Sequence, residues 1–318
     1  MSDINKLLER ARTGRIADIA RLLSIVENEE PGAAEVVRHT YAQTGRATLV
    51  GFTGPPGAGK STLVSALTAA YRRTGARVAV VAVDPSSPYT GGAILGDRIR
   101  MREQALDAGV YIRSMANRGQ SGGLARATRR VVGVLDALGF DVVLVETVGV
   151  GQHEIEIARA VDTVCLLTIP GAGDDIQAIK AGIMEIADIL VVNKADRPGA
   201  DETIKDLTQM LNLGTPRTSW RPPVMRTSAK DGSGIQELIA AVEKHRAWAQ
   251  ESGEARRRNA EAMRNEIQML LQEKVLRDLR ERLDKRGLED IVARVVDKDL
   301  DPYGAVDVLL DDQGGRPG

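Results

Sequence analysis

Gly54-Pro55-Pro56-Gly57-Ala58-Gly59-Lys60-Ser61 fills every fixed position of G-x-x-x-x-G-K-[ST], the pattern of a loop whose backbone cradles a polyphosphate. It follows the apolar run Ala47-Thr48-Leu49-Val50-Gly51-Phe52 and opens the segment Ser61-Thr62-Leu63-Val64-Ser65-Ala66-Leu67. Strand, loop and helix therefore stand in the order such a loop requires. Backbone N–H groups of the loop and of the helix N-terminus would face the phosphates, where the helix dipole also favours negative charge. Lys60 would bring a full positive charge to the β/γ bridge, and the Ser61 hydroxyl would bind Mg²⁺. The plain alternative is a glycine-proline turn with a chance lysine, which the flanking segments argue against.

A second group of residues bears on which base is bound. Asn193-Lys194-Ala195-Asp196 follows the apolar run Ile189-Leu190-Val191-Val192, which places it at the carboxyl end of a buried strand. The Asp196 carboxylate only accepts, and guanine presents N1–H and an exocyclic amine side by side as donors. Adenine lacks that donor pair, so the carboxylate would be left partly unpaired, and the mismatch selects against it. The stem of Lys194 can lie over the base, and Asn193 can tie this loop to the phosphate loop. After Pro223-Val224-Met225 comes Ser228-Ala229-Lys230, where the Ala229 N–H could donate to guanine O6. N-K-x-D alone is a weak signal. Between a phosphate loop and Ser-Ala-Lys it predicts GTP, not ATP.

Two further strand ends carry carboxylates. Val78-Ala79-Val80-Val81-Ala82-Val83 ends at Asp84-Pro85, and Asp141-Val142-Val143-Leu144-Val145 ends at Glu146-Thr147-Val148-Gly149. Both runs are continuously apolar and rich in valine, as in a parallel sheet covered on both faces. Ligands gather at the carboxyl ends of such strands, so Asp84 and Glu146 point to the phosphate end of the site. Glu146 can hold Mg²⁺ directly or through water, and the Gly149 N–H could sense the γ-phosphate. Asp97 is a third candidate that could equally cap a helix over Arg98–Leu106; Asp84 could likewise be a turn or cap residue. Lys60, Asp84, Glu146 and Gly149 form the expected catalytic set. Position 150 is valine, so the usual water-orienting glutamine is missing after Gly149, and Gln152 lies two residues further on. This predicts slow intrinsic hydrolysis that a partner accelerates by completing the site.

These residues need a scaffold, and the chain supplies one. At 318 residues it can hold one large domain plus helical additions, and a content of 43% hydrophobic but only 3% aromatic residues suits an aliphatic α/β core. Residues 46–248 alternate strands and helices, predicting a doubly wound, mainly parallel sheet with right-handed crossovers. Residues 1–45 read as a helical extension: Ile16, Ile19, Leu22, Leu23 and Val26 form one stripe, Pro31 can start a second helix, and Gly45 can end it. In residues 249–318, Met263, Ile267, Leu270, Leu271, Val275, Leu279 and Leu283 mark a long amphipathic helix whose stripe needs burial, against its own domain or a second subunit. Asp301-Pro302-Tyr303 starts a last short helix.

The net charge of −1 gives no electrostatic case for nucleic acid, and Arg256-Arg257-Arg258 reads as the solvated face of a helix. The single cysteine, Cys165, sits in an apolar run and excludes an intrachain disulfide. No apolar run approaches membrane-spanning length, and no leader-like h-region opens the chain, so a soluble, cytoplasmic protein is expected.

Val83-Asp84-Pro85-Ser86-Ser87, Thr90-Gly91-Gly92-Ala93-Ile94-Leu95-Gly96-Asp97-Arg98 and Glu146-Thr147-Val148-Gly149-Val150-Gly151-Gln152 resemble the MeaB/ArgK family of GTPases over nearly the whole chain. The resemblance implies a G-protein chaperone that uses GTP and Mg²⁺ to gate cofactor loading into an adenosylcobalamin-dependent acyl-CoA mutase and to protect that enzyme. It implies a phosphate loop from Gly54 to Thr62 and a magnesium neighbourhood of Ser61, Asp84, Asp97 and Glu146. The guanine site would comprise Asn193, Lys194, Asp196, Ser228 and Ala229. It also implies a homodimer through the C-terminal helices, and an additional switch at Pro170-Gly171-Ala172-Gly173-Asp174-Asp175-Ile176-Gln177. His153 departs from the pattern, where a small hydroxyl residue is expected.

Two other readings carry different chemistry. A nickel-loading GTPase needs imidazole or thiolate ligands at the surface, and the candidates Cys165, His39, His153 and His245 are scattered in sequence. An ATPase or kinase of lysine/arginine/ornithine transport conflicts with the guanine-reading residues.

Overall fold

The computed structural model describes residues 3–85, 104–117, 123–147, 160–171, 183–213, 218–284 and 288–311. The apolar runs become strands of one sheet: β1 (Thr48–Thr53), β2 (Val78–Pro85), β4 (Val142–Thr147), β5 (Thr163–Thr168), β6 (Ile189–Val192) and β7 (Val224–Arg226), with β3 (Val110–Asn117) between β2 and β4 in sequence. The spatial order is β3-β2-β4-β1-β5-β6-β7, and every neighbouring pair is parallel. β1 is central, and successive connections wind away from it in both directions. That is the topology in which a crevice opens at the carboxyl edge beside β1.

Side-chain alternation divides the core into two layers. Val50, Phe52, Val78, Val80, Val142 and Leu144 pack against helices α4 (Lys60–Arg73) and α7 (Ile235–Glu251). On the opposite face, Ala79, Val81, Val83, Val143 and Val145 pack against α1 (Asp3–Arg12), α2 (Ile16–Glu27), α3 (Ala33–Thr40) and α5 (Gly123–Ala137). Helix α6 (Ala200–Leu213) covers β6 through Leu207 and Leu190. The stripe expected on α2 is buried at Ile19, Leu22, Leu23 and Val26, whereas Ile16 at its first turn is exposed.

The N-terminal helices are fixed by more than apolar contact. Arg113 of β3 pairs with Glu27 and also donates to Ser24 Oγ at 3.1 Å. Arg126 and Arg130 of α5 both reach Glu29. Asp136 accepts from the backbone N–H groups of Gly45, Arg46 and Ala47, which fixes the turn that feeds β1.

The chain divides into two compact units, Met1–Arg258 and Asn259–Gly318. Helix α8 (Glu254–Asp284) begins in the first; the second contains the rest of it with α9 (Leu288–Val296) and α10 (Pro302–Asp311). Asp301 caps α10 by accepting from the N–H groups of Tyr303 and Gly304. Ile267, Leu271, Val275 and Tyr303 of this second unit are exposed.

Candidate functional site

The phosphate loop spans the step from β1 to α4, and its glycines answer two steric demands. Gly54 has φ 139°, and a Cβ there would overlap the Leu167 carbonyl oxygen on β5. Gly59 caps α4 with φ 85°, and a Cβ there would lie 2.5 Å from Asn193 Nδ2. The cradle thus has the width of bare backbone, and the N-terminus of α4, where backbone N–H groups point towards a bound anion, follows immediately after it. Lys60 is buried, and its Nζ donates to the carbonyl oxygens of Gly54 at 2.6 Å and Pro55 at 3.0 Å. Ala58 is fully buried, Ser61 half-buried and Thr62 exposed.

Asn193 joins this loop to the base-reading segments. Its Nδ2 donates to Ala58 O at 2.8 Å, and its Oδ1 accepts from Thr227 Oγ1 at 3.2 Å. Ala195 N–H donates to Thr227 O, and Thr227 N–H donates to Val192 O. Lys194 takes φ 55° and its Nζ donates to Gly57 O at 2.7 Å. Asp196 follows one turn later and is exposed, with its carboxylate open to a ligand. Thr227, buried and bound at both its hydroxyl and its backbone, is the linking residue that sequence reasoning missed. A threonine after a short strand carries no distinguishing signal until its partner is seen.

The Ser228–Ala229 turn is separately pinned. Ser228 N–H donates to Ser233 O at 3.0 Å, and Gly232 N–H to Ser228 O at 2.9 Å. Asp231 accepts from the Ser233 N–H and hydroxyl, and these bonds hold its carboxyl below the ordinary range. Ala229 is half-buried at the head of this turn.

Glu146 lies at the carboxyl end of β4, one residue per alternation beyond Val142 and Leu144, and is buried on the face that α4 covers. Lys60 and Ser61 open that same helix. Asp84 occupies the end of β2, opposite Ala116. Asp97, Gly149, Val150, Gln152, His153 and residues 172–177 lie outside the described residues, so the γ-phosphate sensor and both expected switches are not placed here.

Three sequence expectations gain definition away from the loop. Cys165 is buried, and burial pushes its thiol up from the ordinary value. His245 is fully buried, with Nδ1 2.8 Å from Thr163 Oγ1 and Nε2 3.2 Å from Asp188 Oδ1. Among the described residues no three His, Cys, Asp or Glu side chains gather as a metal site. Arg258 corrects the reading of residues 256–258 as a solvated face: its guanidinium donates to both Asp188 oxygens, at 2.9 and 3.1 Å. Asp188 is buried just before β6, and helical spacing alone does not reveal an acid 70 residues away. No described helix is long and apolar enough to cross a membrane.

Comparison with known proteins agrees with this geometry. Residues 19–284 match the family model described as methylmalonyl Co-A mutase-associated GTPase MeaB. A protein of Pyrococcus horikoshii named as a GTPase is 47% identical, covering 99% of this chain and all of that one. GTPase ArgK of Escherichia coli is 40% identical over 74% of this chain and 73% of its own length. The mitochondrial methylmalonic aciduria type A homolog of Caenorhabditis elegans is 34% identical, over 82% and 70%. A crystal structure described as LAO/AO transport system kinase superposes with TM-score 0.72 at 28% identity, covering 99% of both chains. With its phosphate loop, its N-K-x-D strand end and a family match over most of its length, the chain belongs to the MeaB family of P-loop GTPases.

Proposed function

We propose that the protein binds GTP with Mg²⁺, hydrolyses it slowly, and uses the difference between its GTP and GDP forms to license an adenosylcobalamin-dependent acyl-CoA mutase. The observation that carries the nucleotide part is the Asn193 side chain, which fastens the N-K-x-D loop to the phosphate loop. One rigid linkage therefore positions both the base-reading carboxylate of Asp196 and the phosphate cradle. The family description and the name of the Caenorhabditis relative support the mutase as client.

In this reading Lys60 exchanges the Gly54 and Pro55 carbonyls for phosphate oxygens, so the loop holds its cation ready near the β/γ bridge. The α4 N-terminus adds N–H donors. Asp196 accepts from guanine N1–H and the exocyclic amine, and Ala229 donates to O6. Ser61 and the buried Glu146, with Asp84 and Asp97, make a set of hard oxygen donors of the kind Mg²⁺ prefers. When bound there, Mg²⁺ would neutralise charge on the β- and γ-oxygens. Completion of the site by the mutase accelerates hydrolysis. A second copy of the chain, packed on the apolar side chains of the C-terminal unit, makes a homodimer.

Calorimetry with GTP, GDP and ATP, each with and without Mg²⁺, tests the site: Mg²⁺-dependent GTP binding that ATP does not displace is the expected result. The coupling is tested by the affinity of a mutase for the GDP-bound and GTP-analogue-bound forms. A partner that binds both equally senses nothing, and that outcome removes the client while leaving the nucleotide site intact.

A further inference from the structure

Away from the nucleotide edge, the first unit carries a groove of about 410 Å³ lined by Trp220, Arg221, Pro223, Met225, Ala241 and Lys244. It runs beside β7, which pairs only with β6 and so ends the sheet among the described residues. Its floor is apolar. Trp220 forms one wall and is held in place by its indole N–H, which donates to Asp188 O at 2.8 Å. Its ring also packs edge-on to His245, at 4.9 Å between centroids, and against Trp248 at 5.3 Å.

The mouth is different in kind. Arg221 and Lys244 are exposed, and neither forms an ion pair among the described residues. Among the described residues no carboxylate lines the groove. On a chain with a net charge of −1, two unneutralised cations over an apolar floor form a local field that favours an anion.

We infer that this groove is a docking site for an acidic segment of a partner protein, which seats one large apolar side chain on Trp220 and Met225 and sets its carboxylates against Arg221 and Lys244. Three features favour a protein segment over a small metabolite. Small-molecule sites bury a few polar groups that fix the ligand's orientation, and here the polar groups stand only at the rim. Trp, Met and Arg are the side chains enriched where proteins meet. β7, the last strand of the sheet among the described residues, lies alongside, and such a strand can offer backbone groups to an extended chain. The residues that line the groove are not among those assigned to the phosphate loop or to the base-reading segments.

The chain's two tryptophans, Trp220 and Trp248, make the test direct. Full-length protein is titrated with the peptide acetyl-DELFED-amide, its neutral counterpart acetyl-NQLFQN-amide and sodium octanoate, with tryptophan emission as the readout. The expected result is saturable binding of the acidic peptide with a Kd below about 1 mM. Neutralising the peptide, or reversing both charges in the Arg221→Glu/Lys244→Glu variant, should weaken it by about tenfold or more. Both substitutions are at exposed positions, and unchanged GTP affinity certifies the fold. No saturable change, or equal binding of the two peptides, overturns the proposal. Binding of octanoate without the peptide also overturns it, and assigns the groove to small organic anions instead.

Discussion

Asn193 donates from Nδ2 to the carbonyl oxygen of Ala58 at 2.8 Å while its Oδ1 accepts from Thr227 at 3.2 Å, so a single buried amide joins β1's loop to the ends of β6 and β7. Both bonds are shielded from water, where an unmade partner costs more than a made one gains. Asn193→Ala should therefore weaken GTP and GDP binding together, by about tenfold or more. Asn193→Asp should do worse, because a carboxylate has no N–H to give Ala58. Calorimetric affinities for both nucleotides check this; wild-type affinity in the alanine variant would show that the linkage is incidental.

Asp196 carries the choice of base rather than the strength of phosphate binding. Asp196→Asn turns one of two acceptors into a donor facing guanine's own donors. A hydrogen bond to a charged group contributes about 1.5–3 kcal/mol, so the preference for GTP over ATP should fall by about 10- to 100-fold. Affinity for inorganic triphosphate should be unchanged. Competition of ATP and of xanthosine triphosphate against labelled GTP reads the outcome, the latter gaining where the asparagine can donate to it.

Residues whose signal is local were legible in advance. Gly54, Gly59 and Lys60 are fixed by spacing, and the valine-rich runs at 78–83 and 142–145 read at once as buried parallel strands. β3 was not foreseen, because Arg113 and Ser114 interrupt its apolar pattern. It lies at the sheet edge, where Arg113 is satisfied by Glu27 of α2. Thr227 and Arg258 escaped for another reason: each acquires its role from a partner distant in sequence, Asn193 in one case and Asp188 in the other. A single sequence shows hydrophobic period and turn chemistry, and shows no pairing between polar side chains that the fold brings together.

The Asp188 cluster makes stability depend on pH. Burial alone would raise the Asp188 carboxyl, but contacts with His245 and Arg258 outweigh it and hold the group below its ordinary range. Glu254 is held down at about 2, chiefly by Arg257 against the opposing effect of burial, with Arg258 assisting. Carboxyls depressed in the folded state contribute stability that is complete above the unfolded value of about 4 and is lost as pH falls towards the folded value. The urea midpoint should therefore drop between pH 5 and pH 2. Asp188→Asn should flatten that dependence. At pH 7 it should cost about 3 kcal/mol, since it leaves Arg258 and His245 without their anion.

The three glycines of the phosphate loop should respond differently to the same added methyl. A Cβ at Gly57 meets nothing within 4 Å, so Gly57→Ala carries only the penalty of its φ of 78°, about 1–2 kcal/mol. At Gly59, which carries a similar penalty at φ 85°, the added carbon also lies 2.5 Å from the side-chain amide of Asn193. That amide yields, the sheet stays intact, and the bond to Ala58 is lost, so Gly59→Ala should fold yet reproduce the nucleotide defect of Asn193→Ala. At Gly54 the obstacle is the backbone of Leu167 on β5, which cannot swing aside, so thermal stability should fall furthest there. Melting temperature and GTP affinity measured together on the three variants separate the cases. Equal losses at all three positions would mean that the loop tolerates or rejects a side chain for reasons unconnected with Asn193 and β5.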